Sequence, residues 1–165
     1  MFYLTISMLA FYLYRVIMFC QNIADKDALA ASVFCSLKPG ASFGVFDMMA
    51  TPTTSPTTLT FPLPFASEAA GCLGLATPEA YKRAFASAGF EMVSETDKLA
   101  FVTASLAGML ERSAQYAKVH GGAAPPLTLA VVMGPTLRDK MANCLALFRS
   151  GHMTAAEIAW VKPLR

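Results

Sequence analysis

The sequence is poor in charge. Of its 165 residues only 15% are charged, 13 of them basic and 11 acidic, whereas 55% are hydrophobic. The basic residues occur singly, so no run of them could follow a phosphate backbone, and we expect no nucleic-acid partner. A chain this apolar is not intrinsically disordered either, because it can bury enough surface to fold. Its length suits one domain with a core of its own.

Residues that bind metals are also scarce. The sequence has only two histidines, His120 and His152, and its cysteines form no C-x-x-C pair. No metal site is therefore expected. We interpret the cysteines as buried free thiols of a reducing compartment, which favours a cytoplasmic location. The four cysteines are Cys20, Cys35, Cys72 and Cys144.

The first twenty residues, MFYLTISMLAFYLYRVIMFC, carry a single charge at Arg15. They could form a membrane-spanning segment, or a strand or helix of the core. A signal peptide does not fit, because no basic residue precedes the apolar run and no small-residue cleavage site follows it. Arg15 disfavours the membrane segment. We therefore divide the chain into an apolar segment, 1–20, and a domain, 21–165, with membrane association as the less favoured alternative.

A helix, a turn and a strand follow that segment. Asp25 is a good helix N-cap, apolar residues recur at helical spacing as far as Leu37, and Pro39-Gly40 ends the helix. Residues 42–48, SFGVFDM, form an apolar run of strand length. Because both faces of this run are apolar, it predicts a parallel strand covered by helices on each side.

The turn between that helix and strand reads GASFG, from Gly40 to Gly44, and fits the G-x-S-x-G pattern of serine hydrolases. In those enzymes a strand precedes the serine and a helix follows it, which exposes the hydroxyl above the sheet. Here the helix comes first and the strand second. The sequence therefore predicts that Ser42 is neither strained nor a nucleophile.

The rest of the chain alternates helices and strands. Residues 51–58, TPTTSPTT, predict a mobile loop, and Thr77 is the N-cap of a helix that ends at Gly89. The patterns then predict, in order, a half-exposed strand over 91–97, a long amphipathic helix over 99–118, a short apolar segment over 127–133, a helix ending at Gly151 and a final strand over 154–163.

This order of elements resembles the second half of a class I S-adenosylmethionine-dependent methyltransferase. The resemblance lies in NIADK (22–26), in LKPG followed by VFD (37–47), and in TPEAYKRAFASAGFEMVSE (77–95). It is strongest to small-molecule enzymes such as glycine and sarcosine methyltransferases. It implies an α/β fold with a partial Rossmann-like sheet of three or four strands, the last antiparallel, and a helical insertion. It also implies S-adenosylmethionine as cofactor and a small-molecule methyl acceptor.

The resemblance places the binding residues on this sequence. Gln21 and Asn22, with Asp25 nearby, match positions that approach the methionine end of the cofactor in relatives. Asp47 and Met48 lie at the carboxyl end of a strand, where ligands gather in open α/β sheets, and are the expected contacts of the acceptor. From the residues alone, Asp47 could equally cap the turn that follows the strand.

The sequence departs from the family in one respect. The family holds its cofactor mainly on a glycine-rich loop, but the ten glycines here include no G-x-G. Nothing upstream of Asn22 is long enough for two strand–helix units. We therefore expect a methyltransferase-like chain that is truncated and inactive alone. Two alternatives stay open: a non-catalytic binding subunit, which could self-associate through an exposed sheet edge, or a protein anchored to a membrane by residues 1–20.

Overall fold

The computed structural model describes residues 13–17, 20–63, 75–122 and 134–164. Within these ranges lie four strands, four α-helices and two short 3-10 turns, at Cys20–Asn22 and Pro56–Thr58. In chain order the strands and helices are β1 (Leu13–Ile17), α1 (Lys26–Ser36), β2 (Ser42–Ala50), α2 (Pro78–Ser87), β3 (Glu91–Asp97), α3 (Leu99–Val119), α4 (Leu137–Arg149) and β4 (Met153–Val161). The predicted apolar segment over 127–133 lies outside the described residues.

The described strands form one mixed sheet in the order β1-β2-β4-β3. β1 runs parallel to β2, with Leu13 opposite Ser42 and Ile17 opposite Phe46. β4 runs antiparallel to both β2 and β3. The predicted α/β class and the antiparallel last strand are therefore confirmed.

Part of the N-terminal apolar segment is a strand of this sheet. Residues 13–17 form β1, so the interpretation as a strand holds for that part, while residues 1–12, 18 and 19 lie outside the described ones. None of the helices in the described part of the chain is both long and apolar enough to cross a bilayer.

The sheet separates two hydrophobic clusters, because successive side chains of a strand point to opposite faces. One face packs under α1 and α2, where Trp160 stacks on Phe85 with ring centroids 4.2 Å apart and Phe85 stacks on Phe43 at 5.3 Å. The other face packs under α3 and α4, around Met48 and Leu145. Phe85 and Trp160 are thus core residues.

The predicted ends of two helices are confirmed by their caps. The Asp25 carboxylate accepts a 2.8 Å hydrogen bond from the Ala28 N–H at the start of α1. The Thr77 hydroxyl oxygen accepts one of 3.2 Å from the Ala80 N–H at the start of α2. Gly89 follows α2 with a φ of +101°, a backbone conformation that favours glycine.

The loop over 51–58 is more constrained than the low-complexity pattern predicts. The hydroxyls of Thr51 and Thr53 donate hydrogen bonds of 2.8 and 3.3 Å to the carbonyl oxygen of Gly151. The Thr54 hydroxyl donates to the carbonyl oxygen of His152. Threonine-rich composition suggested mobility, but here the hydroxyls bind the turn between α4 and β4.

Two predictions of burial were wrong. Every residue of β3 is exposed, where the alternation of apolar and polar residues predicted a half-buried strand. β3 is the last strand of the described sheet, and the residues on both of its faces stay open to solvent. Cys35 is also exposed, on the outer side of α1, whereas Cys20 and Cys144 are buried free thiols as expected.

Candidate functional site

The side chain of Gln21 joins the turn after β1 to β2. Among the described residues, the backbone of β1 pairs with β2 from Leu13 opposite Ser42 to Ile17 opposite Phe46. Beyond it, the buried side chain of Gln21 bonds to β2, its Oε1 accepting a 3.1 Å hydrogen bond from the Met48 N–H. The 3-10 turn at Cys20–Asn22 presents this side chain. Gln21 and Met48, predicted separately for cofactor and acceptor, are therefore in direct contact at the carboxyl ends of two parallel strands.

Lys26 lies beneath this turn and is only 7% exposed. Its Nζ donates a 2.8 Å hydrogen bond to the carbonyl oxygen of Cys20 and a further one to that of Ile23, and it lies 5.0 Å from the centroid of the Tyr81 ring. Burial lowers the pKa of Lys26 to about 8, although the negative charge of Asp47 acts in the opposite direction. The loss of solvation therefore outweighs the nearby carboxylate.

Asp47 is fully buried in β2, and the Tyr81 hydroxyl donates a 2.9 Å hydrogen bond to its Oδ2. Burial and the Asp47 charge raise the pKa of Tyr81 far above its ordinary value, so that the phenol keeps its proton. The same two causes raise the pKa of the Cys20 thiol to about 12. The site thus combines a carboxylate, a neutral phenol, a neutral thiol and a buried amine.

Asp47 and Met48 direct their side chains to opposite faces of the sheet. Asp47 shares its face with Val45 and Met49 and meets Tyr81 under the α1–α2 layer. Met48 packs in the cluster under α3 and α4. A small acceptor could reach both side chains only around the end of the strand. The role of this pair in acceptor binding stays a prediction.

Asn22 and Asp25 lie at the exposed rim of the same turn. Asp25 already accepts the capping hydrogen bond of α1 through Oδ1. Amide and carboxylate oxygens in this position suit an ammonium group such as that of the methionine end of the cofactor. The oxygen atoms of Asn22 and Asp25 therefore suit that group. The side chain of the buried Gln21, in contrast, already accepts a hydrogen bond from the Met48 N–H.

Sequence reasoning missed the burial of Lys26 and the polar role of Tyr81. Lys26 occupies the first position of α1, where the helix dipole disfavours a cation. A lysine directly after the N-cap is unfavourable on its own. This position could have indicated that other groups in the fold bind its ammonium group. The hydroxyl of Tyr81 gave no such signal, because its partner Asp47 lies 34 residues away along the chain.

The structure offers no support for a hydrolase centre at Ser42. Ser42 begins β2 and follows α1, the reverse of a nucleophile elbow. His120 stacks on Tyr116 at the end of α3, with ring centroids 4.0 Å apart, and the His152 Nδ1 lies 3.4 Å from the Thr53 hydroxyl. Among the described residues no group of three or more histidine, cysteine or acidic side chains could hold a metal ion.

Neither a family model nor a curated protein matches the sequence. Solved structures do match, and several are S-adenosylmethionine-dependent methyltransferases. A protein assigned as a sarcosine dimethylglycine methyltransferase from Galdieria sulphuraria has a TM-score of 0.71 at 12% identity, over 94% of this chain and 54% of that one. Phosphoethanolamine N-methyltransferase 2 from Haemonchus contortus, in complex with S-adenosylhomocysteine, has a TM-score of 0.69 at 17% identity, over 93% and 34%.

The cyclopropane synthase MmaA2 from Mycobacterium tuberculosis has a TM-score of 0.63 at 15% identity, over 90% of this chain and 55% of that one. These likenesses show that the chain shares the fold of the matching part of these structures, as the resemblance in sequence predicts. The chain spans between 34% and 55% of the length of these three structures.

Proposed function

We propose that this chain forms part of an S-adenosylmethionine-dependent small-molecule methyltransferase, with its site at the carboxyl ends of β1 and β2. The observation that carries the proposal is the Gln21–Met48 hydrogen bond of 3.1 Å, because it joins the expected cofactor turn to the expected acceptor strand. The fold supports it, since two structural neighbours are named for methyl transfer to sarcosine or phosphoethanolamine.

The described residues suit binding and orientation rather than covalent chemistry. S-adenosylmethionine supplies an activated methyl group when bound, so the protein has to align the acceptor with it. Asn22 and Asp25 offer oxygen acceptors at the exposed rim of the turn. Tyr81 fixes the carboxylate of Asp47 inside β2. No dedicated nucleophile is required for this reaction.

The 165-residue chain binds the cofactor weakly when it is alone, and it does not transfer methyl groups. In the family that it resembles, a glycine-rich loop holds much of the cofactor, and the ten glycines of this sequence include no G-x-G. Only the residues expected at the methionine end remain. The chain therefore depends on further contacts to bind the adenosine part.

Fragments of the cofactor test this proposal. We expect S-adenosylmethionine and free methionine to shift the backbone amide resonances of residues 21–26, and 5′-methylthioadenosine to leave them unchanged. Asn22→Ala should weaken the shifts, and Asp27→Ala, a change to an exposed acid in the first turn of α1, should not. Shifts caused only by 5′-methylthioadenosine, or by none of the three, would contradict the proposed site.

A second candidate function is that of a binding subunit that completes its sheet against another chain or a second copy. β1 is the outermost strand on its side of the described sheet, so one edge of its backbone pairs with no described strand. Sedimentation velocity over a range of concentrations tests it. Self-association should slow amide exchange in residues 13–17. A monomer at every concentration whose β1 amides exchange slowly would exclude this function.

The location proposed for the chain is the cytoplasm. Its support is the pair of buried free thiols, Cys20 and Cys144, which suit a reducing compartment. Fractionation of cells that express the tagged chain tests this location. Recovery in the membrane fraction would favour an anchor in residues 1–20 instead.

A further inference from the structure

The side chain of Lys26 binds the backbone on both sides of Gln21. Its Nζ donates 2.8 Å to the carbonyl oxygen of Cys20, just before Gln21, and also donates to the carbonyl oxygen of Ile23, beyond it. Between these two anchor points the Gln21 side chain reaches the Met48 N–H at 3.1 Å. The two backbone contacts of Lys26 therefore lie on either side of the residue whose side chain reaches Met48.

The surroundings of Lys26 come from three elements. The Tyr81 ring of α2 lies 5.0 Å from Nζ, the negative charge of Asp47 acts on it from β2, and the carbonyl oxygen of Cys20 accepts its hydrogen bond from the turn. On its own element, the acidic side chains of Asp25 and Asp27 are exposed. Asp47 is thus the buried carboxylate that faces the ammonium group among the described residues.

We propose that Lys26 is a positioning residue of the candidate site, and that its donated hydrogen bonds, rather than its charge, hold the turn at Cys20–Asn22 so that Gln21 bonds to Met48. The importance of this turn for binding rests on the proposed function, whereas the geometric claim does not. Lys26 acts through Gln21 and need not touch a ligand itself.

The distinction between donors and charge has a measurable consequence. Burial lowers the pKa of Lys26 to about 8. The folded state therefore binds the neutral amine form in preference to the charged form, relative to a lysine in water. A neutral amine keeps N–H groups that can donate to carbonyl oxygens. Raising the pH through about 8 should therefore keep the turn closed or tighten it, and only removal of the donors should open it.

Exchange of the Met48 amide hydrogen reports this contact directly, because its bond partner is the Gln21 side chain. In the 165-residue chain without ligand, Lys26→Met should accelerate that exchange, relative to the intrinsic rate, by about tenfold or more. The Gly40 amide, which donates 2.7 Å to the carbonyl oxygen of Lys162, should not change. Lys82→Met is the matched control, since Lys82 pairs with Glu79 and Glu95 on the surface.

A merely structural role would lower the protection of the Met48 and Gly40 amides together, whereas a positioning role lowers that of Met48 alone. Lys26→Met leaves the buried Asp47 carboxylate without the ammonium group that faces it, so we expect the free energy of unfolding to fall as well, and the comparison of the two amides within this variant carries the test. Unchanged Met48 exchange in Lys26→Met would overturn the proposal. If that variant does not fold, the pH profile of the unmodified chain decides, and Met48 protection that falls as the pH rises through about 8 overturns it.

The cofactor experiment separates this inference from the proposed function. If methionine produces no shifts but Lys26→Met still opens the Gln21–Met48 contact, only the proposed function fails. If methionine shifts residues 21–26 and Lys26→Met leaves the contact closed, only the role of Lys26 fails.

Discussion

The Lys162 Nζ donates a 2.8 Å hydrogen bond to the carbonyl oxygen of Leu37, the C-cap residue of α1. It donates another of 2.6 Å to the carbonyl oxygen of Phe34, and it lies 4.3 Å from the centroid of the Phe34 ring. The last carbonyl groups of a helix lack partners within the helix, and a cation there complements the helix dipole. A lysine just after β4 therefore closes the end of α1.

Replacing this lysine should destabilise the fold without affecting the site. Lys162→Met removes two charge-assisted hydrogen bonds, so the free energy of unfolding should fall by about 1–2 kcal/mol, measured by urea unfolding. Lys118→Met is the control, because Lys118 is exposed in the last turn of α3. Equal losses in the two variants would show that the contacts of Lys162 contribute no more than those of a surface lysine.

Removing the Tyr81 hydroxyl should also destabilise the protein. Tyr81→Phe deprives the buried Asp47 Oδ2 of its 2.9 Å donor, with an expected loss of about 1–3 kcal/mol. The double variant with Asp47→Asn should lose less free energy of unfolding than the two single variants lose in sum, because both changes remove the same hydrogen bond. Tyr116→Phe on α3 should stay within about 0.5 kcal/mol of the unmodified chain. Additive losses in the double variant would contradict the coupling.

Gly89 should not tolerate a side chain. It has a φ of +101°, and a Cβ there would lie 3.2 Å from the Phe34 ring, which is itself part of the packing around the core. Gly89→Ala should therefore lose about 1–3 kcal/mol through strain and displacement of that ring. Gly121 has a φ of +63° with no atom within 4 Å of its would-be Cβ. Thermal unfolding should show a smaller loss for Gly121→Ala, and similar losses would rule out the ring contact as the cause.

The buried thiol of Cys144 should make stability fall at alkaline pH. Burial raises its pKa from the ordinary 9.0 to about 12, so between these values the unfolded state loses the proton first. The contribution of the protonated thiol to the free energy of unfolding is complete below pH 9 and is lost as the pH rises towards 12. In reducing buffer, Cys144→Ala should flatten the alkaline decline by up to about 1.4 kcal/mol per pH unit. Cys35→Ala, at an exposed site, should keep the full slope, and an unchanged slope in Cys144→Ala would contradict the assignment.

Titration calorimetry should find millimolar or weaker binding of S-adenosylmethionine to the 165-residue chain. Each loss of about 1.4 kcal/mol weakens binding tenfold, and the contacts to adenine and ribose are several kcal/mol in sum. Incubation with a labelled methyl donor and sarcosine or glycine should give no transfer. Micromolar binding by a monomer would contradict this, and would mean that residues 1–20 contribute to a cofactor site.

The sequence predicted most helix and strand positions because their signals are local. Asp25 and Thr77 are caps whose side chains bond three residues further along, and each starts a helix as expected. The run over 42–48 is apolar on both faces, and β2 is indeed covered on both sides. Burial failed for Cys35 and β3, because exposure depends on which elements cover a residue, and a local pattern does not contain that information.

The site was predictable only in part, for a related reason. The resemblance indicated Gln21 and Met48 but not their contact, which joins residues 27 positions apart. The hydrogen bond of Tyr81 to Asp47 and the burial of Lys26 are likewise tertiary. Neither the phenol nor the amine belongs to a spacing pattern that local reasoning could detect.

The alternation along β2 has a consequence for how acceptor preference could change. A substitution near Asp47 alters the layer of α1 and α2, whereas one near Met48 alters the layer of α3 and α4. With a sheet between them, the energetic effects of such changes should add independently. In the function proposed above, the Tyr81 hydroxyl occupies the Asp47 side, so selectivity for differently shaped acceptors would change on the Met48 side and leave the hydrogen bond on the other face intact.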